Sequence, residues 1–372
     1  EGRWVQQTNQ KKLLIVNVFY PPQSIGGATR IVKDNVAVLQ EQYGDEYEIS
    51  VFTTNDDYPK PYQIEEYVHN GIRVTRVSSP MEEGMDWRYQ NPQMYEIFSQ
   101  YLNFNQPDLI HFHCIQRLTG SIVEAAGDLQ IPYVVTVHDA WWISDRQFLV
   151  NDRGIECEVQ QNDPLAIAKD SENIVESIRR RRYLKQRLEG AKAILAVSEA
   201  FAEIYRRNGF PQTKTNRNGI MPKPRLPRKP NPSQRVRLAH IGGISAHKGY
   251  DLMKEALERV GPKNLELIVV DHAQMSGTLR REQWGSLPVT FLPKTHQDKM
   301  HEFYSTIDVL MAPSLWPESF GLVTREAAAA GVWVVASNKG AMSEDLAPGV
   351  NGDVINPQRI VELMLVLQRI DE

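Results

Sequence analysis

The chain has 372 residues, and its 42 Lys and Arg against 46 Asp and Glu give a net charge of −4. This near balance, with 41% hydrophobic residues, argues against a disordered chain and against a nucleic acid as the main partner. The two cysteines exclude a disulfide framework, and no apolar run approaches the ~20 residues that cross a bilayer. We therefore expect a cytoplasmic protein of two domains, and a piece of a longer polypeptide because the sequence begins with Glu1.

The first 218 residues alternate short apolar runs with helical patterns, which is typical of parallel strands joined by helices. Strands are predicted near 13–19, 48–53, 72–77, 109–114, 133–137 and 193–197, and helices near 28–42, 121–129, 172–188 and 199–208. Residues 1–218 are therefore predicted to form one doubly wound, Rossmann-like domain.

A proline-rich stretch, residues 219–234, interrupts this pattern. Proline fits neither a helix interior nor a central strand, so we predict an interdomain linker there. A second series follows, with strands near 236–241, 265–270, 289–292, 309–312 and 332–336. It predicts a second doubly wound α/β domain over 235–372, and the ligand sites of such sheets lie beyond the carboxyl ends of the strands.

A glycine pair, Gly26 and Gly27, follows the first strand and opens a helix. Glycines let backbone amides approach a ligand, and a helix N-terminus favours anions. A diphosphate or an acceptor could bind here, and a simple tight turn is the alternative.

The fifth predicted strand ends in His138, Asp139, Trp141 and Trp142. An imidazole can donate to a sugar hydroxyl or move a proton, and an indole offers an apolar face to a pyranose ring. We therefore predict that these residues lie on the floor of a ligand-binding cleft. The alternative is a structural histidine held by Asp139, with the tryptophans in the core.

Two further histidines, His111 and His113, are spaced by two residues on the preceding strand and so share a face of the sheet. No third metal ligand is apparent nearby, and we expect a structural role for both.

Four consecutive arginines, residues 179–182, lie within a predicted helix. At about 100° per residue they point all around the helix, so at least one should meet a carboxylate, a phosphate or a lipid headgroup. A peripheral membrane contact or a lipid-linked acceptor is one interpretation. A solvated basic face with one internal salt bridge is the other.

In the second domain the first strand runs into Gly242 and Gly243, with Lys248 just ahead of a helix. Glycines again follow a strand, and a lysine is a mobile point charge suited to a diphosphate.

Two carboxylates, Glu318 and Glu326, flank the start of an alanine-rich helix predicted over 322–330. The helix terminus can bind phosphate, while each carboxylate accepts hydrogen bonds from hydroxyls on either side of a diphosphate. This arrangement fits a nucleotide sugar, and a structural carboxylate is the alternative.

These motifs resemble the retaining glycosyltransferases of family four, whose fold is the two-domain GT-B fold. The most specific part is the Glu318–Glu326 segment, closed by 334–337, and the resemblance covers most of the chain. It implies two Rossmann-like domains that face each other across a cleft.

The resemblance also implies roles for residues. Glu326 would bind the ribose hydroxyls, Glu318 the transferred sugar, and Lys248 the diphosphate, while His138 would contact the sugar near the reaction centre. The catalytic candidates are thus His138, Glu318 and Lys248. The other donor-binding candidates are Gly26, Gly27, Gly243, Phe320, Gly321, Leu322 and Val323, besides Glu326.

Two departures from the family pattern stand out. Where an arginine usually stands five residues before the lysine, this chain has Gly243, and Arg325, Arg30 or Arg217 are possible replacements. The last predicted helix, 360–370, is also short for the family.

The resulting hypothesis is a retaining glycosyltransferase that moves a sugar from a nucleotide-diphosphate donor to a sugar or lipid-linked hydroxyl acceptor, with neither metal nor cofactor. Cell-surface polysaccharide or glycolipid synthesis is the expected setting, with contact at the inner membrane face left open. Acceptor-side candidates are Asp139, Trp141, Trp142 and Arg181. The alternatives are a nucleotide-sugar epimerase of the same fold and a binding module that has lost catalysis; the oligomeric state is not predicted.

Overall fold

The computed structural model describes residues 10–23, 26–55, 60–157, 165, 168 and 171–372. The described chain divides into two compact units, each with its own sheet. The first unit takes its residues from 1–145, 159–197 and 202–218, and the second from 146–158, 198–201 and 219–372.

The first unit is built on an eight-stranded sheet in the order β3-β4-β2-β1-β5-β6-β7-β8, in which only the β3–β4 pair is antiparallel. Its strands are β1 (Lys11–Val16), β2 (Tyr47–Asn55), β3 (Ile64–His69), β4 (Ile72–Ser78), β5 (Leu109–Phe112), β6 (Tyr133–Val137), β7 (Ala193–Ala196) and β8 (Lys214–Thr215). Its helices are α1 (Gly26–Tyr43), α2 (Pro92–Asn105), α3 (Ser121–Asp128) and α4 (Ile174–Glu189), and α5 (Glu199–Arg207) begins in the segment that clusters with the second unit.

Local sequence explains where two of these helices begin. The side chain of Asn91 accepts a hydrogen bond from the amide of Met94 and caps α2, and Pro92 occupies the first turn. Asn173 caps α4 in the same way by accepting from the amide of Glu176. Caps of this kind satisfy backbone amides that the helix itself leaves without partners.

The second unit is built on a seven-stranded sheet in the order β11-β12-β10-β9-β13-β14-β15, with β11 antiparallel to β12. Its strands are β9 (Val236–His240), β10 (Leu265–Asp271), β11 (Arg280–Trp284), β12 (Leu287–Pro293), β13 (Val309–Ala312), β14 (Trp333–Ser337) and β15 (Gly352–Ile355). Its helices are α6 (Tyr250–Val260), α7 (Met300–Tyr304), α8 (Leu322–Ala329) and α9 (Ile360–Asp371), with short 3-10 turns at Ala246–Lys248 and Gln297–Lys299.

The predicted α/β class with two parallel, doubly wound sheets is confirmed, and the predicted strands and helices recur within a few residues of their expected bounds. The elements that the sequence did not indicate include the edge strands β3 and β11. Exposed and half-buried residues alternate along β3, and β11 reads RREQW. Such charged edge strands carry no apolar run by which to recognise them.

Residues 219–234 contain neither helix nor strand. Arg228 ties this segment to the second unit because its guanidinium donates to the carbonyl oxygens of Tyr304 at 3.0 Å and Gly331 at 2.7 Å. Gly331 lies just beyond the end of α8, where the helix dipole favours a cation. The interdomain linker role of the segment stays a prediction.

In each sheet, successive strands are added to one side and then to the other, and the change of side falls between β1 and β5 in the first sheet and between β9 and β13 in the second. We call this topological switch point the reversal point of the sheet. Ligands of doubly wound sheets bind at such points, beyond the carboxyl ends of the two strands. Among the described helices, none combines the length and apolarity that a membrane crossing needs.

Candidate active site

The loop after β9 lies at the reversal point of the second sheet and depends on two glycines. A Cβ atom on Gly242 would lie 2.8 Å from the Cβ of Lys248, and Gly243 has a φ of +68°. The close contact excludes a side chain at position 242. At position 243 the positive φ would strain any residue that has a side chain. The sequence therefore makes a close turn that brings Lys248 next to the strand end.

Lys248 pairs with Glu318, which comes from the loop after β13 on the other side of the reversal point. The ammonium lies 2.6 Å from Oε1 of Glu318, and the hydroxyl of Ser314 donates to the same oxygen at 2.6 Å. Burial alone would raise the pKa of the Glu318 carboxyl, but Lys248 and these hydrogen bonds outweigh burial and lower it. Glu318 is thus a buried, ionised carboxylate, with 6% of its surface exposed.

Glu326 lies on α8, and Gly321 precedes that helix with a φ of +80°. The tyrosine hydroxyl of Tyr304 donates to Oε2 of Glu326 at 3.0 Å, and Nε2 of Gln297 lies 3.4 Å from Oε1. Gly321 occupies the cap position and has no side chain that could accept hydrogen bonds from the first helical amides, those of Leu322 and Val323. The loop position of Glu318 and the helical position of Glu326 match the sequence prediction.

Arg325 contacts two carboxylates and an aromatic ring of the second unit. Its Nε lies 2.8 Å from Asp345, a terminal nitrogen lies 3.7 Å from Glu344, and the guanidinium stacks 3.9 Å from the ring of Phe320. Two carboxylates thus compensate its charge, which counts against Arg325 as the replacement for an arginine at Gly243. The other two candidates, Arg30 and Arg217, belong to the first unit.

An aromatic cluster beside Lys248 was not predicted. His247 stacks on Phe148 with ring centroids 4.3 Å apart and planes 2° apart, and Trp316 meets Phe148 edge-on at 5.0 Å. Burial, followed by the charge of Lys248, lowers the pKa of His247 to about 4. Phe148 comes from 146–158, a segment far from the second sheet in sequence, so no local pattern could have revealed the contact.

In the first unit, three histidines meet at the carboxyl ends of β5 and β6: His111 lies within β5, and His113 and His138 directly follow β5 and β6. Nε2 of His138 lies 2.9 Å from Nδ1 of His113, whose ring stacks on that of His111 at 4.1 Å. Burial lowers the pKa of His138 to about 3 and that of His111 to about 4, and it lowers the pKa of His113 well below its usual value. All three imidazoles are therefore neutral near pH 7.

Asp139, the partner of His138 in the structural alternative, contacts two other groups. Its carboxylate accepts from the side chain of Gln116 at 2.9 Å and from the amide of Trp141 at 2.9 Å. Trp141 and Trp142 are buried, with 2% and 3% of their surfaces exposed. That burial matches the core alternative, and an acceptor role for these residues stays a prediction.

The arginine run divides between core and surface. Arg180 and Arg181 are buried and Arg179 and Arg182 are exposed. Asp145 lies 3.9 Å from Arg180 and 4.0 Å from Arg181. The expectation that at least one arginine meets a carboxylate is thus confirmed, and Arg181 remains an acceptor-side candidate only by prediction.

Gly26 and Gly27 are the first residues of α1 and are exposed. Gly26 has a φ of +76°, and a Cβ there would find no atom of the described residues within 4 Å. The predicted glycine pair thus opens a helix at the reversal point of the first sheet. Within the described ranges, no group of three or more His, Cys, Asp or Glu side chains is arranged to hold a metal ion.

The fold and the residues at its two reversal points define a two-domain α/β protein of the GT-B type. The family model "Glycosyl transferase 4-like domain" matches residues 26–219, and "Glycosyl transferases group 1" matches residues 223–370. The chain therefore belongs to the group 1 glycosyltransferases.

Known proteins agree with this assignment. Lipopolysaccharide 1,2-N-acetylglucosaminetransferase of Salmonella typhimurium is 29% identical over 196 residues, which are 49% of this chain and 48% of that protein. Sucrose-phosphate synthase of Thermosynechococcus elongatus superposes with a TM-score of 0.68 at 19% identity, over 97% of this chain and 90% of that chain. HepE of Anabaena, solved with UDP and glucose, gives a TM-score of 0.61 at 18% identity, over 98% and 90%. The curated relative is matched over about half its length, and the two structures share the fold.

Proposed function

We propose that this protein is a retaining glycosyltransferase that uses a nucleotide-diphosphate sugar. The observation that carries the proposal is the ion pair of Lys248 with Glu318 at the reversal point of the second sheet, 2.6 Å apart. A lysine and the N-terminal amides of α8 suit a diphosphate, and Glu318 and Glu326 suit the hydroxyls on its two sides. The UDP and glucose bound in the Anabaena neighbour favour the same ligand class.

In the proposed reaction, the bond between the anomeric carbon and the β-phosphate oxygen breaks, and the acceptor oxygen bonds to that carbon on the same face. The proton of the acceptor hydroxyl passes to the departing phosphate, so the products are the glycoside and the nucleoside diphosphate. Lys248 and the helix dipole stabilise the charge that develops on the leaving group. Glu318 binds a distal hydroxyl of the sugar and is not the nucleophile.

This scheme needs no metal and no further cofactor, because side-chain and backbone groups supply the positive charge. The neutral His138 in the first unit is proposed to donate a hydrogen bond to the sugar. The name of the Salmonella relative favours cell-surface polysaccharide or glycolipid synthesis as the setting.

The test is nucleotide release from a panel of UDP-, GDP- and ADP-sugars, with and without hydroxyl acceptors and in the presence of EDTA. We expect release from one donor that depends on the acceptor, with the anomeric configuration retained in the product. An epimerised sugar with no transfer would favour the epimerase alternative. Donor binding without release under any acceptor would favour the binding module.

A further inference from the structure

The Gly242–Gly243 pair lies between two basic side chains. A Cβ on Gly242 would meet the stem of Lys248 at 2.8 Å, and a Cβ on Gly243 would lie 3.7 Å from Cγ and 3.8 Å from Nδ1 of His272. His272 is exposed and follows β10, the parallel neighbour of β9. Both side chains thus contact the same turn at the reversal point.

The register of the sheet adds a third basic group. His240 of β9 pairs with Val269 of β10, so Gly243 and His272 each lie three residues beyond that pair. Asp271 pairs with Pro293 of β12, and the next residues are His272 and Lys294. Positions 243, 272 and 294 therefore form one row across three neighbouring strand ends.

We propose that His272, supported by Lys294, supplies the second positive charge for the diphosphate, in place of the arginine absent at Gly243. The inference rests on the proposed function and names a residue for its diphosphate site. An imidazolium and two ammonium groups beside the glycine turn are suited to a ligand with two adjacent phosphates. An arginine on the glycine turn itself would require a side chain at a φ of +68°, which is strained.

The charge of His272 depends on the ligand. Partial desolvation of the imidazole and the charge of Lys294, with a smaller effect of Lys248, lower the pKa of His272, while a hydrogen bond to the backbone of Ile241 and the charge of Asp271 act in the opposite direction. A diphosphate would bring negative charge and raise this pKa. Binding should therefore take up a proton and weaken as the pH rises.

One other imidazole lies close to His272. His240 is buried beneath the turn, where burial lowers its pKa to about 4, and its ring nitrogens lie 3.0 Å from the carbonyl oxygen of Met311 and 3.2 Å from that of Gly243. His240 therefore stays neutral above pH 5, and we assign the proton that is taken up on ligand binding near neutral pH to His272.

The test compares binding of inorganic pyrophosphate and of UDP-, GDP- and ADP-sugars by calorimetry at pH 6.0 and 8.0, in EDTA. The variants are His272→Gln, His272→Lys and the control His69→Gln on β3 of the other sheet. The ratio of dissociation constants between variant and wild type cancels the titration of the ligand itself. Circular dichroism verifies that each variant is folded.

We expect His272→Gln to weaken pyrophosphate binding about tenfold at pH 6.0 and by less than about threefold at pH 8.0. His272→Lys should bind at least as tightly as the wild type at pH 8.0, and His69→Gln should match the wild type throughout. Equal affinities of His272→Gln and wild type at pH 6.0 would overturn the inference.

The result also separates the two proposals. If pyrophosphate binding depends on His272 but no nucleotide sugar binds, the anion site stands and the transferase proposal fails. If a donor sugar turns over and His272→Gln binds it as tightly as wild type, only the role of His272 fails. If the wild type binds neither pyrophosphate nor a nucleotide sugar, both proposals are overturned.

Discussion

The ammonium of Lys248 and the carboxylate of Glu318 neutralise each other across the reversal point of the second sheet, 2.6 Å apart. Glu318 is buried and Lys248 is half-buried, so little water screens the pair. A diphosphate at this point would compete with Glu318 for the lysine. The pair is thus both a candidate binding site and an obstacle to binding.

This competition predicts the behaviour of Glu318→Gln. Glutamine keeps the size of the side chain and a hydrogen bond with Ser314 but releases the charge of Lys248. We expect nucleoside diphosphate to bind equally or up to about tenfold more tightly, while turnover falls by about 10² because the sugar loses a charged partner. Calorimetry and nucleotide release measure the two effects. Glu258→Gln, exposed on α6, is the control, and a loss of nucleotide affinity in Glu318→Gln would contradict the assignment.

Glu326→Gln should have the opposite effect. If Glu326 binds the ribose hydroxyls, its replacement weakens nucleoside diphosphate binding by about tenfold, the value of one charge-assisted hydrogen bond. The variant should also lose the preference for ribose over 2′,3′-dideoxyribose nucleotides. Tyr304→Phe removes the hydrogen bond to Glu326 but keeps the carboxylate, and it should weaken binding less. Unchanged ribose preference in Glu326→Gln would exclude the role.

The sequence alone predicted the positions of these side chains where the signal is local. Glu318 and Glu326 lie eight residues apart around one helix start, and strand ends at a reversal point must come together, so the positions of Lys248 and both carboxylates could be foreseen. The direct pairing of Lys248 with Glu318 could not, because it depends on rotamers of residues on two different loops. The stacking of Phe148 on His247 joins segments that no periodicity connects.

The histidines show a different limit. The spacing of His111 and His113 placed them on one face, and His138 was expected at the end of the next strand. The contact of His113 with His138 follows from the parallel pairing of β5 with β6, a strand order that the sequence did not predict. The sequence offered only Asp139 as a structural partner of His138, as the alternative to a role in binding sugar. Pairing between strands brings together residues far apart in sequence, and strand order cannot be determined from the spacing of residues on one strand.

We expect Arg180 to stabilise the folded state of the first unit. Its guanidinium donates to the carbonyl oxygens of Trp141 at 2.7 Å and Trp87 at 3.1 Å and lies 4.7 Å from the ring of Trp141. Arg180→Met removes the buried cation and leaves these carbonyls without a donor, which should cost about 3–5 kcal/mol of unfolding free energy. Urea unfolding measures the loss. Arg182→Met, two residues on and exposed, should stay within about 0.5 kcal/mol, and equal losses in both variants would contradict the account.

The buried imidazoles predict how stability depends on pH. His111, His113 and His138 have a lowered pKa in the folded protein, whereas an unfolded histidine binds a proton near pH 6.5, so the unfolded chain takes up more protons below that pH. The free energy of unfolding should therefore fall between pH 6.5 and about 4, by about 1.4 kcal/mol per pH unit for each proton. We measure the unfolding free energy of His113→Asn in urea at pH 7.0, 6.0 and 5.0. The slope of this free energy against pH should be smaller than that of the wild type by the contribution of one proton. Arg182→Met, which alters an exposed side chain and removes no imidazole, should leave the slope unchanged. A slope of His113→Asn equal to that of the wild type would mean that His113 is protonated in the folded state.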